Sequence, residues 1–121
     1  MCSMHDISQK DYTCLLNMLD AIQKIGAYTK NIENADDFNK NTLAFDATLM
    51  NFIVIGEMVE KLSESFLSKT AELVNWHKVK SFRNILAHNY FGVDAEEVWE
   101  IIGKFLPDLK LQIEAFVIKD N

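Results

Sequence analysis

Apolar residues recur at three- and four-residue steps in four blocks of this chain, a spacing that predicts amphipathic helices. The first block runs from about 8 to 30, with Leu15, Leu16, Leu19, Ile22 and Ile25 on one stripe. The stretch 31–41 is polar and carries Asp36 and Asp37. It reads as a loop, with Phe38 anchoring a short turn to the core. The second block, about 42–66, places Leu49, Phe52, Ile53, Met58, Val59 and Leu62 on a buried side that Val54 and Ile55 widen, so it is the expected central helix. Gly56 in its middle costs up to about 1 kcal/mol relative to Ala, which points to the close approach of another backbone there.

The third block, about 75–88, is capped by Asn75 and takes its apolar contacts from Trp76, Val79, Phe82, Ile85 and Leu86. Gly92 breaks the chain. The fourth block starts at Asp94, whose spacing to Glu97 is that of a capping box, and continues through Val98, Trp99, Ile102, Phe105 and Leu106. Pro107 is expected to kink this helix, because helical periodicity resumes over 109–117. The pattern predicts an all-α, up-and-down bundle of four to five helices.

Composition sharpens this picture. The 121 residues argue for a single domain spanning 1–121, and 49% hydrophobic residues argue for a packed core. Four glycines and one proline supply too few turns for an all-β fold. The net charge of −6 gives no broad electrostatic footprint for nucleic acid, so any RNA contact must be narrow or shared with a partner. Cys2 and Cys14 do not make a disulfide framework and read as free thiols. The polar opening 1–12 does not resemble a secretory signal, and the most apolar run, 52–55, is too short to cross a bilayer. These features lead to the expectation of a cytoplasmic protein without a membrane partner.

Polar groups able to do chemistry concentrate in 81–91. Arg83 offers a planar, permanently charged fork suited to phosphate. His88 can exchange a proton near neutral pH. Asn84 and His88 are four residues apart and share one face of a helix, with Arg83 about 100° round the axis. Both Arg83 and His88 are expected to be solvent-accessible. Taken alone, such a group is more often a solvated helix face than a catalytic pair. On the central helix, Glu60 and Glu64 fit a solvated acidic flank, whereas an unpaired carboxylate at Glu57 beside Gly56 would be costly to bury. A cation of the third helix, with Arg83 favoured, is its expected partner.

The spacing Arg83-x-x-x-x-His88-x-Tyr90 resembles the signature of the HepT family of HEPN domains. Ile55-Gly56-Glu57, Trp76, Arg83-Asn84, Ala87-His88, Val93-Asp94, Val98-Trp99 and Leu106-Pro107 fall in that family's order, and Asp11 with 18–22 is similar to its opening helix. The pair Lys10-Asp11 departs from the usual Arg-Asp, and Leu73-Val74-Asn75 lacks a proline often found before the tryptophan. The resemblance implies a metal-independent, cofactor-free RNA endonuclease and the toxin of a toxin–antitoxin pair. His88 would move a proton, Arg83 would stabilise phosphate charge, and Asn84 would orient the phosphate or hold His88. It further implies a homodimer that brings two motifs together. The implied partner is a minimal nucleotidyltransferase antitoxin that transfers AMP to Tyr90. The alternative is a non-catalytic helical module that binds and supports that nucleotidyltransferase.

Other conspicuous residues have simpler explanations. His5 lies near a terminus. His77 has no Cys or His at metal-ligand spacing, so no metal site is expected. Trp76 and Trp99 read as core or interface anchors. Asp94 is a cap, while Glu96, Glu97 and Glu100 sit where a helix start tolerates negative charge.

Overall fold

The computed structural model describes residues 7–120, and within them every regular element is helical. Cys2 and His5 lie outside the described residues. Helix α1 (Gln9–Thr29) is capped by the Ser8 hydroxyl, which accepts from the Asp11 N–H at 3.1 Å. It packs against α3 (Thr42–Lys61), α3 packs against α5 (Trp76–His88), and α7 (Leu106–Asp120) returns against α1. These helices pack into the all-α bundle that the periodicity predicts, and the segments linking α1 to α3 and α3 to α5 are long enough to carry short helices of their own. The core runs between them, with Leu15, Met18, Ile25, Leu49, Ile55, Leu86, Val98, Ile113 and Phe116 almost wholly buried. Two residues assigned to apolar stripes point outward instead: Leu16 is 42% exposed and Ile85 is 55% exposed. By length and composition α3 would suit a membrane span, which the short 52–55 run did not suggest, but its apolar side chains Leu49, Phe52, Ile55 and Val59 fill the core of the bundle.

The stretch expected to be a loop contains α2 (Ala35–Lys40). Asn34 caps it, accepting from the Asp37 N–H at 2.8 Å, and Asp36 and Lys40 suit its two ends. Six residues are too few to hold a helix alone. Phe38 supplies what is missing: it is fully buried, its ring 5.1 Å from that of Phe45 and 5.3 Å from that of Trp99.

The second apolar block is cut in two, and α4 (Glu64–Thr70) starts where one long helix is predicted. The cause lies 52 residues away. Buried Asp11 accepts the Ser63 N–H at 2.8 Å and the Ser63 hydroxyl at 2.6 Å. Ser63 in turn caps α4 by accepting from the Phe66 N–H at 3.1 Å. An N–H given to Asp11 cannot continue the α3 ladder, so Leu62 turns extended. The Trp76 indole N–H, at the start of α5, donates to Thr70 Oγ1 at 2.8 Å, which docks the end of α4.

Around Pro107 the helix does not split. Helix α6 (Ala95–Glu100), a π-helical turn (Ile101–Phe105) and α7 follow without interruption. The Leu106 N–H bonds to Ile101 O, five residues back, so the wider turn absorbs the irregularity just ahead of a proline that has no N–H to give. The Asp94 cap is present, its carboxylate accepting from the Glu96 N–H at 3.1 Å.

Candidate functional site

Helix α5 begins at the Asn75 cap, which accepts from the Lys78 N–H at 3.0 Å, and ends at His88. One side of it packs on α3 through Val79 and Leu86, and Phe82 meets Phe52 edge-on with ring centres 5.2 Å apart. Arg83 lies on that inward side. Its stem crosses α3 at Gly56, where a Cβ would overlap the Arg83 Cβ and Cγ and sit 3.4 Å from Cδ. The close approach expected at Gly56 is therefore to a side chain and not to a backbone. It also leaves Arg83 less accessible than expected, with its side chain 19% exposed.

Three groups converge on the guanidinium. One terminal nitrogen donates to Glu57 Oε2, and the other donates to Asn84 Oδ1 at 2.8 Å. Glu60 lies 3.9 Å away and is also 3.8 Å from Lys80, so it faces α5 rather than standing on a purely solvated flank. The Glu57 hydrogen bond, with the charges of Glu57 and Glu60, outweighs partial burial and raises the Arg83 pKa above its ordinary value. The guanidinium stays cationic and is aimed by a fixed carboxylate. The pairing of Glu57 with Arg83 follows the sequence expectation. Asn84 is exposed and bonds Arg83, with no hydrogen bond to His88 among the described residues.

His88 closes α5 with its ring exposed. Five residues from Arg83 correspond to about 140° of rotation and about 7.5 Å of rise. One chain thus holds its cation inside the α3–α5 groove and its imidazole on the outer surface. After the Asn89 C-cap, Tyr90 opens a 3-10 turn (Tyr90–Gly92). Gly92 leaves room for the Asn89 amide, whose Nδ2 would lie 2.6 Å from a Cβ there. The Tyr90 ring is half-buried against the core, and its hydroxyl donates to Asp46 Oδ1 on α3 at 2.6 Å. That bond, followed by partial burial and the Asp46 charge, raises the phenol pKa.

Asp46 is the group that sequence reasoning missed. It is the only charged residue between Lys40 and Glu57, a lone acid in the most apolar helix, but nothing local ties it to a tyrosine 44 residues on. Cys14 is a free, buried thiol whose pKa is raised, first by burial and then by the charge of Asp11. Among the described residues no group of three metal-ligating side chains gathers.

A sequence model of the family described as "Ribonuclease HepT-like" matches residues 18–116, which include Glu57, Arg83, Asn84, His88 and Tyr90. The chain belongs to the HepT-like ribonuclease family. HepT-like relatives share its length to different extents. A Methanocaldococcus jannaschii protein named "Gamma-glutamylcyclotransferase and putative RNase" is 35% identical over 106 residues, 87% of this chain and 47% of that protein. The chain thus spans about half of that relative. A "Putative RNase" of the same organism is 34% identical over 109 residues, 90% of this chain and 84% of the relative. The "Probable ribonuclease HepT" of Thermococcus cleftensis is 30% identical over 107 residues, 88% of this chain and 94% of that protein. No solved structure matches this HepT-like chain.

Proposed function

We propose that this chain is a cytoplasmic, metal-independent RNA endonuclease, the toxin of a toxin–antitoxin pair, and that it acts as a homodimer through Arg83 and His88. The observation that carries the reading is the Arg83 guanidinium, fixed by Glu57 and Asn84 on the helix that presents His88 to solvent. A ribose 2′-oxygen attacks phosphorus and the 5′-oxygen leaves. His88 takes the proton from the nucleophile or gives one to the leaving oxygen, help worth on the order of 10²–10⁴ in rate. Arg83 offsets charge that builds on the phosphate oxygens. Asn84 completes the phosphate contact, and Glu57 holds the guanidinium in place. The divergence of Arg83 and His88 on one helix, and the exposed Ile85 between them, favour a site assembled from two copies. Such pairing also concentrates cations on a protein of net charge −6. The test is the chemistry of the product ends. Cleavage in excess EDTA that leaves 2′,3′-cyclic phosphates is expected, whereas 5′-phosphate products or full dependence on added metal would overturn the mechanism.

Tyr90 is the regulatory handle in this reading. A minimal nucleotidyltransferase antitoxin transfers AMP to its hydroxyl, and the attached phosphate competes with RNA for Arg83. Tyr90→Phe should keep RNase activity and escape neutralisation on co-expression. Growth rescue together with AMP on the variant would identify another acceptor. The alternative, a non-catalytic module that supports the nucleotidyltransferase, draws on the same Glu57–Arg83 pair as a purely structural tie.

A further inference from the structure

We propose that Asp46 is the proton acceptor for nucleotidyl transfer to Tyr90, so that the chain supplies both the nucleophile and the base for its own modification. This rests on the reading of Tyr90 as the AMP acceptor. The phenol donates to Asp46 Oδ1 at 2.6 Å, at the short end of the range for a positioned acid–base pair. The ring is packed against the core, which fixes the oxygen, while Asp46 is exposed and the pair remains open to a partner enzyme. The two residues come from separate elements, the first turns of α3 and the 3-10 turn after α5, so their meeting is a product of the tertiary fold.

A phenol with a raised pKa is a weak nucleophile while it keeps its proton. A carboxylate already bonded to that proton removes the obstacle as the new bond forms, as a catalytic-loop aspartate does for a substrate hydroxyl in phosphoryl transfer. The Tyr90 oxygen attacks the α-phosphorus of a nucleoside triphosphate brought by the partner. The Tyr90 O–P bond forms, the bond from the α-phosphorus to the bridging oxygen breaks, and pyrophosphate leaves. The phenol proton passes to Asp46 Oδ1, and the carboxyl then loses it to water.

The experiment incubates purified, unmodified chain with the proposed partner, a minimal nucleotidyltransferase, and ATP. AMP addition is followed by intact mass and mapped to peptides for wild type, Asp46→Asn, Asp46→Glu and Tyr90→Phe. The Asn amide oxygen still accepts the phenol hydrogen bond but cannot take the proton, which separates a base from a mere tether. Wild type should be labelled at Tyr90, and Asp46→Asn should lose about 100-fold or more in maximal rate. The ATP concentration at half-rate and the melting temperature should stay unchanged, and Asp46→Glu should recover part of the rate. Equal rates for wild type and Asp46→Asn, with Tyr90 labelled in both, would overturn the role of Asp46 alone. Wild type that is unlabelled, or labelled elsewhere with Tyr90→Phe labelled as well, would overturn the acceptor reading and this inference with it.

Discussion

Gly56 and Arg83 compete for the same space, and the fold gives it to the arginine. A methyl group at 56 would overlap the arginine stem, which belongs to a side chain anchored at its far end by Glu57 and Asn84. Gly56→Ala should therefore cost about 1–3 kcal/mol by overpacking, despite its better helix propensity, and should lower RNA cleavage by displacing the guanidinium. Chemical denaturation together with a cleavage assay checks both, and a stabilised, fully active variant would contradict the packing account. His88 behaves differently. Its exposed ring makes no hydrogen bond among the described residues, so His88→Ala should leave the melting temperature unchanged while cleavage is lost. The Glu57–Arg83 contact was legible in the sequence because a carboxylate beside Gly56 on the central helix needs a cation, and Arg83 was the favoured one on the third helix. The Tyr90–Asp46 contact was not, since a hydrogen bond spanning 44 residues leaves no periodic trace.

Two helix starts were legible from their local caps. Asn75 and Asp94 each accept a backbone N–H at the start of the helix their position predicts. The boundaries that escaped were set from a distance. Helix α2 exists because Phe38 is buried against Phe45 and Trp99, and α3 ends because Asp11 takes the N–H of Ser63. Asp11→Ala would strand the Ser63 N–H and hydroxyl in a part-buried setting, at a cost of about 1–3 kcal/mol. Hydrogen exchange should show faster exchange at the start of α4, at Ser63 to Leu67, with α5 little changed. Uniform protection in the variant would mean that the Ser63 cap alone divides the two helices. The π turn before Pro107 is a third departure from local rules. Periodicity correctly carried the helix past the proline, but it carries no information on how the turn widens to admit it.

At the scale of the whole molecule, the four-block pattern gave the bundle, and the ensemble of spaced motifs pointed to the family that residues 18–116 match. The proposed composite site rests on the about 140° of helix rotation that separates Arg83 from His88. A homodimer that buries Ile85 and sets two motifs side by side should sediment as a dimer at micromolar concentration. Ile85→Lys should yield a folded monomer with little RNase activity, whereas an active monomer would contradict the composite site. The most direct measurement of the central claim is cleavage of a labelled single-stranded RNA by purified chain shown by intact mass to be unmodified, beside Arg83→Ala and His88→Ala. The account predicts cleavage by the wild type in EDTA and none by either variant, with the helical circular dichroism of His88→Ala unchanged. Equal cleavage by wild type and His88→Ala, or none by any of the three, would contradict it.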